Sequence, residues 1–404
     1  MARRAKGEGN FALDSKNDRW IYRLTCNGKH YKLYGTKGAS KKDLLPRIEQ
    51  LKKMLDEMDL PYLEKVSVGE WVERWLPLVK PTVVIRTYDY YYKFCKNYIV
   101  PQLGDIKVKD LSVVMLQEFL NRLIVEPGVK GKPLAPKTVN GIRATLVNML
   151  TVAEDSKIIV DNPAKKTKQL KAKEKEVIAL SADQLRKIIE VAGTKEYIYF
   201  GCKQLYEEDD GMRYLRWCTY YLVILAIATG MRQGEVFGIS WANIDFENSM
   251  LIVKQNLQYS SEGLNLDSPK TKGSKRKIRV DNATILKLKE WQHYQQKYSK
   301  SIGNLFDNKY NLIFTNSFGK PLSATNFRRS YWRKLSLAAE LPKDCTFHCL
   351  RHSHATNLLR SGVDIRTVSH RLGHANIQTT MIYLNLLPDS QELAVEKFAD
   401  LRLF

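Results

Sequence analysis

The sequence lacks several features that would indicate a membrane, secreted or zinc-binding protein. No apolar run approaches the roughly 18 residues of a membrane-spanning helix, and the N-terminal MARRAKGEGN has no apolar stretch like that of a signal peptide. The six cysteines are scattered, and no pair has CxxC spacing. This distribution argues against a disulfide framework and against a zinc ribbon. We therefore expect a cytoplasmic protein that has no membrane partner.

Acidic residues are scarce relative to basic ones. The chain has 65 Lys and Arg against 43 Asp and Glu, which gives a formal net charge of +22. A field of that sign attracts polyanions, and nucleic acid is the commonest large polyanion. Association with ribosomes or with an anionic membrane is the alternative that charge alone leaves open. At 404 residues the chain is too long for one core, so roughly two to four domains are expected.

Residues 1–62 have the pattern of a small α+β module. The alternating runs DRWIYRLTC and KHYKLYG predict two strands, and the intervening Asn27-Gly28 is a strong signal for a two-residue hairpin. A helix is predicted from about Ser40 or Asp43. Basic residues alternate with aromatic ones on the hairpin, so it could lie in a DNA major groove, although a solvated sheet face explains the pattern equally well. These candidate DNA-binding residues are Arg19, Arg23, Lys29 and Lys32.

Residues 66–163 predict a bundle of helices. VSVGEWVERWLPLV and SVVMLQEFLNRLIV carry apolar residues at three-and-four spacing, and Pro101, Gly104 and EPGVKGKPLAP separate the segments. Basic residues give these helices surfaces that could contact DNA. The candidates are Lys93, Lys96, Lys137 and Arg143.

The next segment, AKKTKQLKAKEKE (164–176), has six lysines and little that could pack. Its composition predicts a solvated linker, and a linker that crosses a phosphate backbone would have the same composition. Its candidate DNA-binding residues are Lys165, Lys166 and Lys168. Beyond it, Ser181 and Gln184 predict a capping box at the start of a helix.

Five of the seven histidines lie within residues 348–374, and two kinds of site could use them. A metal site is one possibility, because His348 and His352 share a helical face at the spacing of zinc-binding pairs. However, no acidic residue occurs from Thr346 to Gly362, and Arg351 would repel a cation. We therefore expect no metal.

An anion site uses more of the pattern. His348 and Arg351 are three positions apart near the predicted start of a helix, where free N–H groups and the helix dipole favour an anion. Other cationic residues occur in glycine-containing or basic segments, ATGMRQGE, KTKGSKRKIRV and LGH, and a tyrosine follows. Together these residues describe a phosphodiester site with its own nucleophile. The candidates are Arg232, Lys270, His348, Arg351, His374 and Tyr383.

Four segments in this half of the chain resemble, in order and spacing, the characteristic blocks of the tyrosine recombinases, the phage integrase family. They are ATGMRQGEVFGISW, SPKTKGSKRKIRV, FHCLRHSHATNLLRSG and LGHANIQTTMIYL. The resemblance covers about residues 177–390, and the layout upstream is similar to that of temperate-phage and conjugative-transposon integrases. Relative to the family, the segment 193–217 looks longer than usual.

The resemblance implies a mainly α fold with small β-sheets, arranged as a multi-domain α+β protein. Residues 1–62 would form an arm-type DNA-binding domain with a three-stranded sheet and a helix. A helical core-binding, SAM-like domain at 66–163 and a basic linker at 164–176 would follow. Residues 177–404 would form a mixed α/β catalytic domain with a C-terminal tail, and the tail after Pro388 is expected to pack against a neighbouring protomer.

The resemblance also implies roles for the phosphate-binding residues. Arg232 and Arg351 would clamp the scissile phosphate through bidentate hydrogen bonds. His348 and His374 would donate hydrogen bonds to its non-bridging oxygens in the transition state, and His348 is also a candidate to accept the tyrosine proton. Apart from the resemblance, we expect His352, His354 and His370 to be structural rather than catalytic, with His352 supporting Arg351.

The remaining two roles concern the bonds that form and break. Tyr383 would attack phosphorus and leave a 3′-phosphotyrosine. Lys270 would protonate the departing 5′ oxygen, with Lys272 as the competing candidate. Because one ester replaces another, neither ATP nor any other cofactor is expected.

The function implied is that of an integrase that joins a mobile element to a chromosome and excises it again. Its expected partners are double-stranded DNA at core and arm sites, three further copies in a homotetramer, and an excisionase or host DNA-bending protein. Two alternatives remain: a type IB topoisomerase and a non-enzymatic regulator that uses VDIRTVSHRLGHANIQTTMIYL as a helix-turn-helix. A chromosome-dimer resolvase is disfavoured, because such enzymes normally lack an N-terminal module like this one.

Overall fold

The computed structural model describes residues 9–26, 29–38, 40–56, 65–126, 131–172, 176–198, 208–267, 275–386, 395 and 398–399. The chain forms two compact units, Met1–Ala172 and Lys173–Phe404. Across the described ranges, no helix is long and apolar enough to cross a bilayer.

The first unit begins with an antiparallel sheet and a helix. Strands β1 (Asn10–Asp14), β2 (Arg19–Cys26) and β3 (Lys29–Tyr34) pair in chain order, and a 3-10 turn leads into α1 (Leu45–Asp56). Tyr22 and Leu24 from the sheet pack with residues of the helical segment in a separate small core. Cys26 pairs with Lys29, as the hairpin prediction requires, although Asn27 and Gly28 themselves lie outside the described residues.

The rest of the first unit is helical, as predicted. The apolar faces of its helices meet in a second core, in which Trp71 donates a hydrogen bond from Nε1 to the Met149 carbonyl at 3.1 Å. Helix α3 continues through a π turn at Cys95–Ile99 into α4. The helices are α2 (Val68–Val79), α3 (Ile85–Phe94), α4 (Val100–Leu103), α5 (Val113–Val125) and α6 (Pro136–Asp155).

The first residues of the expected linker are packed, although their composition predicts a solvated segment. Pro163–Lys166 forms a 3-10 turn, and Asn140 of α6 bonds to both backbone groups of Leu170, donating to the carbonyl and accepting from the amide at 2.9 Å each. Residues 163–170 therefore lie against the helical bundle, because side chains of α6 supply partners for their backbone.

In its described residues, the second unit combines helices with two small sheets. Strands β4, β5 and β8 form one antiparallel sheet, and β6 pairs with β7 in a separate hairpin. The strands are β4 (Ile244–Asp245), β5 (Met250–Val253), β6 (Asn256–Ser260), β7 (Gly263–Asp267) and β8 (Arg276–Arg279). The helices are α7 (Ala182–Gly193), α8 (Asp210–Thr229), α9 (Gln233–Gly238), α10 (Asn282–Ile302), α11 (Ala324–Phe327), α12 (Arg333–Ala338), α13 (His348–Arg360), α14 (Ile365–Leu372) and α15 (Gln378–Met381).

This architecture confirms the predicted mainly α fold class with small β-sheets. The Ser181–Gln184 capping box is present at the start of α7. One difference lies in MLIVKQNLQY, which is not a single strand. It divides into β5 and β6, because β5 pairs with β4 and β8 whereas β6 turns back to pair with β7.

Hydrogen bonds connect the described ends of segment 193–217, which the sequence suggested is longer than usual for the family. Arg216 donates from Nε to Glu208 Oε1 at 2.7 Å and from Nη1 to the Gly193 carbonyl at 2.6 Å. This contact joins the end of α7 to the start of α8. Residues 199–207 between them lie outside the described part of the chain.

Candidate active site

Helix α13 supplies three side chains of the site from its first turn and a half. His348 opens the helix, and Arg351 and His352 follow one turn later on neighbouring positions. The His348 and His352 rings meet edge to face, with their centroids 4.6 Å apart. His348 and Arg351 thus lie near the start of a helix, as predicted.

Arg351 is buried at 2 % exposure and is held by the ends of two other helices. Its Nη1 donates to the Gly230 carbonyl and its Nη2 to the Leu372 carbonyl, both at 2.8 Å. Gly230 and Gly373 end α8 and α14 in the left-handed conformation, with φ of 62° and 68°. Because carbonyls at helix C-termini carry partial negative charge, they stabilise the guanidinium and fix its plane.

Arg232 lies at the start of α9 and is oriented from two sides. It donates from Nη1 to Glu235 Oε1 at 3.0 Å and from Nη2 to the Gly373 carbonyl at 3.1 Å. Its side chain is 39 % exposed, whereas that of Glu235 is buried. Arg232 is therefore positioned by buried groups and keeps part of its guanidinium accessible to an anion.

Glu235 connects Arg232 to a second arginine that the sequence did not single out. Arg276 of β8 donates from Nη2 to Glu235 Oε2 at 2.9 Å and from Nε to the Arg371 carbonyl at 2.7 Å. Burial raises the pKa of the Glu235 carboxyl, but hydrogen bonds and positive charge from Arg276 and Arg232 outweigh burial and lower that pKa below its usual value. Glu235 is thus an anion between two cations.

Tyr383 follows α15 and lies beside α13 in the same unit. It is 1 % exposed, and its hydroxyl is 3.1 Å from His352 Nδ1. Burial raises the pKa of the phenol, while the charge of Arg351, a hydrogen bond with Arg351 and the charge of Arg232 act in the opposite direction. The phenol is therefore protonated at neutral pH and lies within the field of both arginines.

His374 follows the Gly373 cap and faces the same region. Its Nδ1 is 2.8 Å from Thr380 Oγ1, and its ring lies nearly parallel to that of Tyr383 with centroids 6.5 Å apart. Burial and the nearby arginine charges lower the pKa of His374 to about 3, and burial, His352 and the arginines lower the pKa of His348 to about 4. Both imidazoles are neutral at pH 7, and each has an N–H to donate.

The other histidines have distinct places. His354 Nδ1 is 2.8 Å from the Ile227 carbonyl, and its Nε2 accepts a hydrogen bond from Arg371 Nε at 3.0 Å, so this ring is structural as predicted. His370 is exposed on α14. His352 contacts the Tyr383 hydroxyl through Nδ1, and its support of Arg351 stays a prediction. Across the described ranges, no group of three or more His, Cys, Asp or Glu residues could hold a metal ion.

Two lysines are predicted as candidates to protonate the departing 5′ oxygen. Lys270 and Lys272 fall within 268–274, between β7 and β8, and lie outside the described residues. The roles of both lysines stay predictions.

The candidate DNA-binding residues of the N-terminal sheet lie mainly on one face. Arg23 is directly opposite Lys32 in the strand register, and strand alternation places Arg19 on the same face, away from the core side occupied by Tyr22 and Leu24. Lys29 pairs with Cys26, and its side chain lies outside the described part.

The basic candidates of the helical bundle fall into two groups. Exposed side chains on α3, its π extension and α6 form the first group, which comprises Lys93, Lys96 and Lys137. The second group has partners within the chain. Arg143 donates to the Thr167 carbonyl and hydroxyl, Lys165 pairs with Glu154, Lys166 pairs with Asp161, and the Lys168 amide donates to Gln117.

Sequence reasoning missed Glu235, Arg276 and the contact of His352 with Tyr383. Glu235 stands three positions after Arg232, the spacing at which a side chain can reach back to a helix start, so a signal for it existed. Arg276 gave no signal, because its partners Glu235 and Arg371 are 41 and 95 positions away.

Comparisons with known proteins identify the family of this chain. Residues 179–389 match the phage integrase family, and residues 67–124 match the N-terminal SAM-like domain of phage integrases. A tyrosine recombinase XerC-like protein of Caldanaerobacter subterraneus is 27% identical over an alignment that covers 96% of this chain and 97% of the relative.

Solved structures share the fold. The Tn1549 transposon integrase in complex with transposon right end DNA superposes with a TM-score of 0.63 at 20% identity, covering 83% of this chain and 100% of that one. A lambda integrase tetramer bound to a Holliday junction gives 0.54 at 20% identity, covering 95% and 96%. The chain belongs to the phage integrase family and is a tyrosine recombinase, an enzyme that cuts and rejoins DNA at specific sites.

Proposed function

We propose that this recombinase integrates a mobile element into a bacterial chromosome and excises it, through a 3′-phosphotyrosine on Tyr383. The observation that carries the proposal is the position of the Tyr383 hydroxyl, 3.1 Å from His352 Nδ1 and in the field of Arg351 and Arg232. Nucleophile and cationic groups thus belong to one unit of one chain. The similarity to transposon and phage integrases supports a mobile element as the substrate.

The two arginines bind the scissile phosphate in this proposal. Arg351 is fixed by two helix-end carbonyls and Arg232 by Glu235, so both guanidiniums are oriented before DNA arrives. His348 and His374, neutral at pH 7, donate N–H groups to the non-bridging oxygens as negative charge develops there. Preorganised donors of this kind stabilise a transition state without the cost of reorganisation.

The chemical step exchanges one ester for another. The Tyr383 oxygen forms a bond to phosphorus, the bond from phosphorus to the 5′ oxygen breaks, and Lys270 gives that oxygen its proton. In the reverse step the 5′ hydroxyl attacks and Tyr383 leaves. Because the ester bond is retained throughout, neither ATP nor a metal cofactor enters the proposed cycle.

The first unit contributes basic residues to DNA binding from two of its parts in this proposal. The sheet face with Arg19, Arg23 and Lys32 serves as an arm-type DNA-binding domain within residues 1–62. The exposed lysines of α3 and α6 serve a core-binding domain at 66–163, which the match to a SAM-like domain supports. The basic segment 164–176 connects this domain to the catalytic domain at 177–404.

We propose that the working assembly is a homotetramer on two DNA duplexes. The tetrameric lambda integrase on a Holliday junction supports this arrangement. Apolar side chains around the nucleophile are also exposed in the single chain, and a neighbouring protomer could cover them. They are Ile377, Met381, Ile382 and Leu384. The tail from residue 389 lies almost entirely outside the described residues, and its role stays a prediction, as do an excisionase or host DNA-bending partner and a site of action at the bacterial nucleoid.

A nicked suicide substrate tests the chemistry directly. A nick close to the cleavage position lets the 5′ fragment diffuse away, so the wild-type chain should accumulate a covalent DNA adduct. Tyr383→Phe removes only the hydroxyl and should bind the same DNA without forming an adduct. An adduct formed by Tyr383→Phe would overturn the assignment of the nucleophile. A chain that binds DNA without ever forming an adduct would favour the helix-turn-helix regulator.

A second assay separates the recombinase from a type IB topoisomerase. Two duplexes that each carry a cleavage site should yield exchanged products if the enzyme is an integrase. Relaxation of supercoils without any exchanged product, under conditions in which adducts form, would favour the topoisomerase.

A further inference from the structure

The Tyr383 hydroxyl has two neighbours that differ in what they can do with a proton. The charge of Arg351 acts on the phenol and opposes the rise in its pKa, and His352 Nδ1 is 3.1 Å from the hydroxyl. A guanidinium has only donors, so Arg351 cannot accept the phenol proton. An imidazole nitrogen with a lone pair can accept it, and His352 Nδ1 is within hydrogen-bonding distance of the hydroxyl.

The protonation state of His352 permits this arrangement. Burial and the charge of Arg351 lower the pKa of His352 to about 4, so its ring is neutral at pH 7. A neutral imidazole has one N–H and one lone pair. With the proton on Nε2, the lone pair of Nδ1 points along the hydrogen bond from the phenol.

The other two histidines of the site are engaged differently. His374 Nδ1 lies 2.8 Å from Thr380 Oγ1, which leaves its Nε2 for a phosphate oxygen. His348 packs its ring edge to face with His352, with centroids 4.6 Å apart. The histidine nitrogen that lies 3.1 Å from the phenol hydroxyl thus belongs to His352. This position favours His352 as the proton acceptor, whereas the sequence led us to expect His348.

We propose that His352 is the catalytic proton acceptor for Tyr383 during cleavage and the proton donor to it during resealing. This inference rests on the proposed function, in which Tyr383 is the nucleophile. In cleavage the phenol proton moves to His352 Nδ1 as the oxygen forms its bond to phosphorus and the 5′ oxygen leaves with a proton from Lys270. In resealing the proton returns from Nδ1 to the phenol oxygen as the bond from phosphorus to Tyr383 breaks.

The arrival of DNA makes this transfer more favourable. A phosphate brings negative charge next to the groups that face His352, which are His348, Arg351 and Tyr383. Opposite charge favours the protonated form of an imidazole, so His352 becomes a stronger base in the complex than in the free chain. Transfer that is concerted with attack also avoids a free phenolate in a buried site.

The test compares His352→Asn with Tyr383→Phe and with His370→Asn, which changes an exposed histidine of the same unit. Asparagine keeps a polar atom near the position of Nδ1 and can still bond to the phenol, but it cannot accept a proton. We expect His352→Asn to lower the single-turnover cleavage rate by at least about 100-fold, the usual contribution of a general base, while DNA affinity stays unchanged. His370→Asn should cleave at the wild-type rate.

A substrate with sulfur in place of the bridging 5′ oxygen identifies which proton is affected. A thiolate leaves without protonation, so this substrate should restore cleavage to Lys270→Ala. It should not restore cleavage to His352→Asn, because the nucleophile still has to lose its proton. His352→Gln should behave in the same way, and it replaces His352→Asn in the comparison if the latter unfolds at a lower temperature than the wild type.

Two outcomes would overturn the inference. One is wild-type cleavage by both His352 variants, and the other is a defect that the sulfur substrate corrects. In either case an adduct that forms in the wild type and is absent from Tyr383→Phe would leave the proposed function intact. An unrescued defect in His348→Asn together with normal cleavage by His352→Asn would transfer the role to His348.

Discussion

Glu235 is a buried carboxylate whose two partners are both arginines. It receives hydrogen bonds from Arg232 at the phosphate-binding side and from Arg276 within the core. A buried charge without a partner is far more costly than a buried pair. The carboxylate therefore has two functions: it orients Arg232, and it allows the Arg276 guanidinium to remain inside the protein.

We predict that Glu235→Gln lowers both stability and cleavage. Gln preserves the shape but removes the negative charge that lies between the Arg276 and Arg232 guanidiniums, so the buried Arg276 loses its ion pair with Glu235. We expect a loss of about 3–5 kcal/mol in the free energy of unfolding, measured by urea denaturation. Cleavage of a suicide substrate should also fall, because Arg232 loses the group that orients it.

Glu340→Gln is the matched control for that change. Glu340 pairs with Lys187 of α7, and both side chains are exposed, at 77% and 44%. Surface pairs of this kind contribute about 0–1 kcal/mol. Equal effects of the two substitutions would show that the Glu235 network is no more important than an ordinary surface pair.

At the same scale, the phosphate-binding candidates could be predicted from the sequence, because residues that bind one anion share a cationic or hydrogen-bond-donating character. The structure brings Arg232, Arg351, His348, His374 and Tyr383 together in one unit, although their roles stay proposals. The supporting residues could not be predicted as well. Arg276 acts through tertiary contacts across 41 and 95 positions, and no local spacing encodes such contacts.

Among the structural elements, the segment after α6 has a more defined structure than its composition indicates. Arg143 donates from Nε to the Thr167 hydroxyl at 2.9 Å and from Nη2 to the Thr167 carbonyl at 2.8 Å. These bonds, together with those of Asn140, hold residues 163–170 on the bundle. A charged residue that looked like a DNA ligand in the sequence thus has a structural function.

We predict different effects for two basic residues of α6. Arg143→Ala should lower the stability of the first unit by about 1–3 kcal/mol, because backbone carbonyls lose their donor, and should speed amide exchange at residues 165–170. Lys137→Ala changes an exposed residue. It should leave stability unchanged, weaken DNA binding and reduce the salt dependence of binding by about one phosphate contact.

Hydrogen exchange and salt-dependent DNA binding of both variants check this prediction. Normal exchange in Arg143→Ala, together with a reduced salt dependence like that of Lys137→Ala, would mean that Arg143 contacts phosphate after all.

The types of most elements were predictable, whereas some of their limits were not. Apolar residues at three-and-four spacing identified the helices of 66–163, and Asn27-Gly28 identified the first hairpin. MLIVKQNLQY could not be divided from its sequence alone, since β5 and β6 have similar composition and differ only in their partners. The packed start of 164–176 could not be predicted from its lysine-rich composition for a related reason. The backbone of this segment bonds to Asn140 and Arg143, which lie on α6.

For the whole molecule, stability should depend on pH through its buried imidazoles. Burial is the main cause that lowers the pKa of His352 and His354 to about 4 and that of His374 to about 3. The unfolded chain therefore binds more protons than the folded one between about pH 6.5 and 4. A depressed folded pKa means that stability is fully present above pH 6.5 and is lost as the pH falls toward 4.

We predict that the free energy of unfolding decreases between pH 7.5 and pH 5. Each histidine contributes at most about 1.4 kcal/mol per pH unit below 6.5, and solvent around the partly exposed rings reduces this figure. Glu235 has a lowered pKa and stays ionised over this range. Urea unfolding at several pH values measures the slope.

His354→Gln tests the origin of that slope. Gln can donate to the Ile227 carbonyl and accept from Arg371, but it does not titrate, so the variant should show a shallower pH dependence than the wild type. Stability that stays constant from pH 7.5 to pH 5 in the wild type would contradict the prediction.

The anchoring of Arg351 to two main-chain carbonyls makes helix length part of the active site. Gly230 and Leu372 supply those oxygens from the last turns of α8 and α14. One residue inserted into either helix would rotate its terminal carbonyl by about 100°, since a turn contains about 3.6 residues. Substitutions along α8 and α14 can therefore be accommodated far more readily than single-residue insertions or deletions, even at positions distant from the DNA.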